Sequence, residues 1–119
     1  MRSIAVLFAI GAAWVLTPAA LAQDPTAVDS KHYQVVLENE QVRVLRITYG
    51  PHEKSVMHNH PAGVAVMLAD NHVRFNLPDG EAVEQHSKAG DAMWTEAGKH
   101  LPENLSDQPL EVILVEMKK

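Results

Sequence analysis

Cysteine is absent from this chain of 119 residues, and its absence excludes several kinds of chemistry. Without thiols the protein can form no disulfide bond, bind no metal through thiolates and use no thiol nucleophile. Its stability must therefore depend on its core or on a bound metal. The length is enough for one small domain and too short for two domains with separate cores.

Positive charge is also scarce, because 10 Lys and Arg residues stand against 15 Asp and Glu residues, for a net charge of −5. The basic residues form no cluster in the sequence. Since nucleic acids and anionic membranes are bound by basic patches, neither is an expected partner. Small molecules and other proteins remain.

The one long hydrophobic run is N-terminal, in MRSIAVLFAIGAAWVLTPAALAQ, where apolar residues follow Arg2 and small residues end at Ala22. This layout is typical of a secretory signal peptide. Thr17 and Pro18 interrupt the run before it reaches the roughly 20 residues that a membrane span needs. We therefore predict a signal helix over 1–22, cleaved after Ala22, no stable membrane anchor afterwards, and a periplasmic or secreted protein.

The rest of the chain is predicted to form a small antiparallel all-β domain. Residues 23–35 are polar and are interpreted as a flexible lead, while 36–119 contain short runs rich in Val, Ile and Tyr between turn signals. Pro78, Asp79 and Gly80 predict a hairpin. Roughly seven or eight short strands at this spacing indicate a sandwich or a barrel. Much of the core is expected to come from Trp94, Phe75, Leu77, Val64, Val66, Ile113 and Val115.

Two histidines stand close together in GPHEKSVMHNHPAG, residues 50–63. On a strand, His58 and His60 would leave the same face about 6.6 Å apart along the backbone, so both could offer a ring nitrogen to one ion. Neutral imidazoles suit Zn, Fe, Ni or Cu. The pair alone does not define a metal site, and two surface histidines remain the alternative.

A second segment, GDAMWTEAGKHLPEN, contains four residues of interest in this order: Gly90, Gly98, His100 and Asn104. Together the two segments resemble the motifs of the cupin superfamily, G(X)5HXH(X)3-4E(X)6G and G(X)5PXG(X)2H(X)3N. The resemblance extends over residues 36–118. It departs from the first motif, which here has seven residues between Gly50 and His58 and lacks the glutamate. In the second motif, Glu96 replaces the proline.

The resemblance implies a small antiparallel jelly-roll barrel that holds a divalent metal, Fe, Zn, Mn or Ni, on His58, His60 and His100. Loss of the glutamate would leave coordination positions open and the ion more positive, which favours a small anionic or chelating ligand. Asn104 is expected to hold the turn beside His100 through side-chain hydrogen bonds. The apolar residues expected to line the pocket are Met57, Met67, Met93 and Trp94.

The other histidines and several acidic residues are weaker candidates. His52 would need a bulge to reach the three expected ligands. His32 is expected at the surface. His72 is expected to be solvated in a turn, and His86 is expected to be solvated at the end of a strand. Three carboxylates could act as acid–base or supporting groups: Glu53, Glu96 and Glu103. Charged residues near turns are, however, usually just exposed.

Two functions of different class fit these residues, and the sequence leaves open whether the protein is an enzyme. The first is an exported metalloenzyme, a dioxygenase or an isomerase, acting on a small acidic or chelating molecule. The second is a non-catalytic metal- or ligand-binding module in the periplasm. A third interpretation is a jelly roll whose histidines are only polar residues at the barrel mouth. Edge strands of so small a barrel also indicate a homodimer.

Overall fold

Nine β-strands and one short helix are present in residues 23–119, the part of the chain that the computed structural model describes. The predicted signal helix, 1–22, lies outside the described residues. In chain order the elements are α1 (Pro25–Val28), β1 (Tyr33–Glu38), β2 (Val42–Tyr49), β3 (His58–His60), β4 (Gly63–Met67), β5 (Asn71–Asn76), β6 (Ala82–Ser87), β7 (Ala92–Thr95), β8 (Gly98–Asn104) and β9 (Leu110–Met117). The predicted all-β class is confirmed.

The strands form two sheets. The first sheet has the order β1-β2-β9-β4-β7, and the second has the order β3-β8-β5-β6. Every strand pair is antiparallel, as in a jelly-roll barrel. β2 and β9 pair along their full lengths, from Tyr49 opposite Leu110 to Val42 opposite Met117, and this pairing sets the register of the first sheet.

Alternation along β2 and β9 determines which side chains face the barrel interior. In β2 the buried positions are Leu45, Ile47 and Tyr49, and in β9 every second residue from Leu110 is buried. Phe75 and Met93 pack against this core. The buried apolar side chains are Tyr33, Leu45, Ile47, Tyr49, Ala65, Met67, Val73, Leu110, Val112 and Leu114.

The predicted core is wrong in its choice of face for β4 and β9. Val64, Val66, Ile113 and Val115 are half-buried on the outer face, and the residues between them face inward. Both strands are apolar at consecutive positions, so a period of two cannot distinguish their faces. Pairing with the alternating strand β2 decides the inner face. Trp94 is also not a core residue, because it is 55% exposed.

Strand β8 is missing from the sequence prediction, which places His100 just after a strand and a tight turn. Pro102 explains the difference, since proline cannot donate to a strand ladder and argues against a central strand. In the structure β8 lies between β3 and β5, with Pro102 opposite Phe75. The carbonyl of Pro102 still accepts a hydrogen bond from Ser55 N at 3.0 Å. His100 is therefore a strand residue, oriented by the pleat.

The predicted hairpin is confirmed between β5 and β6. Leu77 N donates to Glu81 O at 2.8 Å, and Asp79 Oδ1 accepts from Glu81 N at 2.9 Å. Gly80 has a φ of 91°, in the left-handed region that glycine adopts without steric cost. The hairpin places Val73, Phe75 and Leu77 toward the interior, as their alternation predicts.

The segment interpreted as a flexible lead, 23–35, contains α1 and the start of β1. Asp24 caps α1 by accepting from Thr26 N at 2.9 Å, and Pro25 occupies the first helical turn. β1 begins at Tyr33, before the expected start of the barrel at residue 36. Within 23–119, no helix has the length and hydropathy needed to cross a bilayer.

Gly63, the first residue of β4, is a position where the fold leaves no room for a side chain. A Cβ on Gly63 would lie 2.2 Å from the carbonyl oxygen of Val115, whereas one on Gly98 would meet no atom within 4 Å. We predict that Gly63→Ala lowers the free energy of unfolding by about 3 kcal/mol, because the backbone of β4 or β9 must shift. Gly98→Ala should change it by less than about 1 kcal/mol. Urea denaturation tests both, and equal stability of the two variants would contradict the prediction.

Candidate functional site

The antiparallel pair β3–β8 brings the three predicted ligands together. His58 lies opposite His100, and His58 and His60 are 2% and 8% exposed while Asn59 between them is exposed. The ring centroid of His100 is 4.9 Å from that of His58 and 4.4 Å from that of His60. Rings at this spacing can each direct one nitrogen to a shared ion.

Hydrogen bonds to the neighbouring backbone orient two of the three rings. His58 Nδ1 lies 2.9 Å from Val56 O, and His60 Nδ1 lies 3.0 Å from Pro61 O. Because a carbonyl oxygen can only accept, we assign the ring proton to Nδ1 in both residues, which leaves the lone pair on Nε2. Ligating histidines usually fix their tautomer in this way.

The ring of His100 is held by stacking. Its centroid lies 5.1 Å from that of Phe75, and among residues 23–119 neither of its nitrogens has a hydrogen-bond partner. Burial lowers the pKa of His100 to about 2, with the neighbouring His60 and His58 adding to the effect. Burial also lowers the pKa of His58 to about 4. Both rings are therefore neutral at pH 7, as metal ligands must be.

The nitrogens of the three rings do not yet meet at one point. In the part of the chain that the structure describes, no group of three or more His, Cys, Asp or Glu side chains is arranged to hold a metal ion. Since His58 and His60 are anchored through Nδ1, a shared ion would require the ring of His100 to turn. The donor set itself, three imidazoles, suits a divalent transition metal.

An apolar cavity of about 310 Å³ lies inside the barrel against these rings. Three of the four predicted pocket residues line it: Met67, Met93 and Trp94. Met57 is not among the lining residues and is 37% exposed, because it precedes the inward-facing His58. Apolar side chains from both sheets complete the walls: Ile47, Ala65, Val73, Phe75, Leu77, Val112 and Leu114.

Trp94 lines the cavity, as predicted, and is also largely exposed to solvent. It borders the cavity, yet it pairs with the outward-facing Val64 and alternates with Met93, so its indole lies on the outer face of the first sheet. Its exposure of 55% agrees with this position.

Polar groups are few around the cavity. The hydroxyls of Tyr33 and Tyr49 lie 2.6 Å apart and bond to each other. Burial raises the pKa of both tyrosines well above the ordinary value, so both stay protonated. Among the described residues that line the cavity, Glu96 is the only acidic one, and it is exposed. The cavity thus offers imidazoles, hydroxyl groups and the amides of Asn71 and Gln85, with almost no negative charge.

His32 is buried and not at the surface, with 5% of its surface exposed. Its Nδ1 lies 2.8 Å from Asp29 Oδ2, its Nε2 lies 3.0 Å from Glu53 Oε1, and its ring stacks on Tyr49 at 4.4 Å. Ser55 adjoins the same group, donating to Asp29 and lying beside His58. Of these residues the sequence pointed only to Glu53, as a possible supporting carboxylate. It gave no signal for Asp29 or Ser55, because single polar residues in a lead and a loop form no pattern.

The remaining histidines make contacts of their own. His52 is exposed with a φ of 60°, and its Nε2 lies 2.6 Å from Asp107 Oδ1. His72 is in strand β5 and not in a turn, because the pairing of β5 with β6 places it opposite His86. The rings of His72 and His86 stack at 3.9 Å, and His72 Nε2 lies 2.8 Å from Glu84 Oε1.

Asn104 is fully buried and links the two motif segments. Its Nδ2 donates to Gln108 O at 2.8 Å, and its Oδ1 accepts from Ser106 N at 3.0 Å. These bonds hold the turn after β8. The turn expected beside His100 is absent, because His100 lies within the same strand as Asn104. Nδ2 also donates to Gly50 O at 3.0 Å, a tie between the two segments that spacing did not predict.

The fold of this chain matches those of solved proteins. A cupin domain from Bordetella pertussis Tohama I has a TM-score of 0.68 at 24% identity, covering 73% of this chain and 92% of its own. A protein with a double-stranded β-helix domain from Klebsiella pneumoniae has a TM-score of 0.58 at 22% identity, covering 71% and 74%. An RmlC-like cupin family protein from Methanocaldococcus jannaschii has a TM-score of 0.57 at 16% identity, and the match covers 71% of this chain and 77% of its own.

Sequence comparison adds nothing to this structural similarity. No protein-family model matches the chain, and no curated protein matches it. At these identities the structural similarity concerns the fold, which is the double-stranded β-helix of the cupins.

The lowered pKa values of His58 and His100 predict how the stability of the metal-free protein depends on pH. In the unfolded chain both imidazoles take up protons near pH 6.5, whereas in the fold their pKa values are about 4 and about 2. Between those values and pH 6.5 the unfolded state binds more protons. Acidification from pH 7 to pH 5 therefore lowers the free energy of unfolding of the metal-free protein, by about 1–2 kcal/mol for each of these two histidines.

Chemical denaturation at pH 7 and pH 5 measures this loss, because most carboxylates stay ionised in that range. His100→Gln should lose less stability on acidification than the wild type. The same loss in both proteins would show that His100 is not the titrating group.

Proposed function

We infer that this protein binds a divalent metal ion through His58, His60 and His100, and uses it to bind or act on a small chelating or anionic molecule in the apolar cavity. The main support is the closeness of the three rings on the cavity wall, where the centroid of His100 lies 4.9 Å from that of His58 and 4.4 Å from that of His60. Burying polar rings costs free energy. Histidines that were only polar residues at a barrel mouth would gain nothing from this burial.

The ligand set determines which molecules the site favours. A bound divalent ion would supply Lewis acidity and open coordination positions. The three imidazoles bring no negative charge, so an anionic or chelating oxygen group would meet little repulsion. Met67, Val73 and Phe75 would contact an apolar part of the same molecule and exclude water from it. A small molecule with a chelating end and an apolar end fits best.

An enzymatic role is supported by two structures of similar fold. One is a polyketide cyclase from Streptomyces resistomycificus, with a TM-score of 0.54 at 15% identity. The other is an oxalate decarboxylase from Bacillus subtilis, with a TM-score of 0.55 at 19% identity, and the match covers 24% of that chain. Because the fold does not select a reaction, dioxygenation and isomerisation remain the proposed types. Glu96 at the cavity edge is the candidate acid–base group.

A non-catalytic binding module is the second candidate function. It is favoured by the shortage of acid–base groups, since the hydroxyls of Tyr33 and Tyr49 stay protonated and, of the described residues, Glu96 alone brings a carboxylate to the cavity. Such a module would sequester or sense its ligand in the periplasm. Export itself is a proposal that rests on the leader, 1–22.

A homodimer is proposed on the outer face of the first sheet. One row of apolar residues, here called the outer row, crosses all five strands in direct register: Leu37, Val44, Val115, Val64 and Trp94. Leu37 is 53% exposed and Trp94 55% exposed. Pairing two outer rows across a two-fold axis would bury both.

Elemental analysis of protein purified without a chelating tag tests the metal site. We expect about one equivalent of a divalent transition metal. His58→Ala and His100→Ala should each lose most of it, because two imidazoles are too few to retain the ion. The matched control is His86→Ala, an exposed histidine in β6, which should keep the metal. Undiminished metal in both His58→Ala and His100→Ala would refute the site.

The identity of the metal and the turnover separate the two functions. Bound iron with oxygen consumption in the presence of a chelating substrate supports a dioxygenase. Tightly held zinc without turnover supports the binding module.

The dimer is tested by light scattering after size-exclusion chromatography. Trp94→Ser removes the largest exposed side chain of the outer row, so the molar mass should fall from that of a dimer to that of a monomer. His86→Ala is again the control. A monomeric wild type would contradict the proposal.

A further inference from the structure

A chain of buried polar side chains leads from His58 away from the cavity. His58 Nδ1 lies 3.2 Å from Ser55 Oγ, which in turn donates to Asp29 Oδ2 at 2.5 Å. Asp29 also contacts His32 Nδ1, at 2.8 and 2.9 Å. His32 Nε2 then lies 3.0 Å from Glu53 Oε1, at the edge of the solvent.

The chemistry of these groups determines the direction of the hydrogen bonds. A carboxylate can only accept, so the hydroxyl hydrogen of Ser55 points to Asp29. The lone pairs of Ser55 Oγ are then left to face His58 Nδ1, which donates to them and to Val56 O. Both contacts keep the proton on Nδ1 and the lone pair of Nε2 directed away from this network.

The carboxylate of Asp29 is buried, with 10% of its side chain exposed, and Ser55 is 6% exposed. Removing a carboxylate from water is costly unless its hydrogen bonds are satisfied. Here every partner is polar, and one branch of the network ends on a candidate metal ligand. A role restricted to stability would be served equally well by an apolar contact between the same segments.

We propose that Asp29 and Ser55 are positioning residues that set the metal affinity of His58, an inference that rests on the proposed function. Asp29 orients the hydroxyl of Ser55, and the hydroxyl orients the imidazole and increases the electron density on its Nε2. A carboxylate placed behind a ligating histidine commonly strengthens metal binding 10- to 100-fold. In this chain a serine relays that effect.

Titration of the metal-free, full-length protein with Co²⁺ measures the effect through the visible absorption of the bound ion. Ser55→Ala and Asp29→Asn should each weaken Co²⁺ binding about tenfold and alter the absorption band. The matched control is Ser87→Ala, which also removes a buried serine hydroxyl, in β6. It should bind Co²⁺ as the wild type does, even if its melting temperature falls by the same amount as that of Ser55→Ala.

The His58→Ala and His100→Ala variants distinguish failure of this inference from failure of the proposed function. If these two variants lose Co²⁺ binding while Ser55→Ala and Asp29→Asn keep wild-type affinity, the positioning role is wrong and the metal site stands. If all four bind as the wild type does, the metal site itself is wrong. Should Asp29→Asn fail to fold, Ser55→Ala alone decides the positioning role.

Discussion

The candidate site depends on the pairing of β3 with β8. β3 has three residues, and a one-residue shift in its register would turn His58 and His60 to the outside. Two backbone hydrogen bonds hold β3 in place. Within β3, Asn59 N donates to Gln23 O at 2.9 Å, and just before it Ser55 N donates to Pro102 O at 3.0 Å. The geometry of the site therefore depends on the start of the described chain as well as on the two histidine segments.

That N-terminal segment is anchored by charge. Arg43 in β2 contacts Asp24 at 2.9 Å and donates to the buried Glu116 of β9 at 2.7 Å. Asp29, in the same segment, accepts a hydrogen bond from the hydroxyl of Ser55. Residues that precede the barrel in sequence thus form part of the support behind His58.

The sequence predicts the structure correctly where a strand has one polar and one apolar face, and where a motif of spaced histidines identifies the site residues. Phe75 in the alternating strand β5 packs against the core as predicted, and the motif residues His58, His60 and His100 come together. The prediction fails for β4 and β9, which are apolar on both faces, and for β8, where Pro102 conceals a central strand. In these places the tertiary pairing outweighs the local pattern.

The support of the site lay beyond sequence reasoning for a different reason. Asp29 and Ser55 are 26 residues apart, and His32 meets Glu53 across 21 residues. Each is an ordinary polar residue in its local context. Their roles arise only from long-range contacts, and the same holds for the burial of His32, which its polar neighbours in sequence made unexpected.

Trp94 makes the outer row observable by spectroscopy. The chain has two tryptophans, and the other, Trp14, lies in the predicted leader. After cleavage a single indole would remain, on the solvent side of the sheet beside Val64. Its fluorescence would be red-shifted while water covers the row and blue-shifted once another surface replaces the water. Emission spectra recorded at successive dilutions would therefore follow association without any added label.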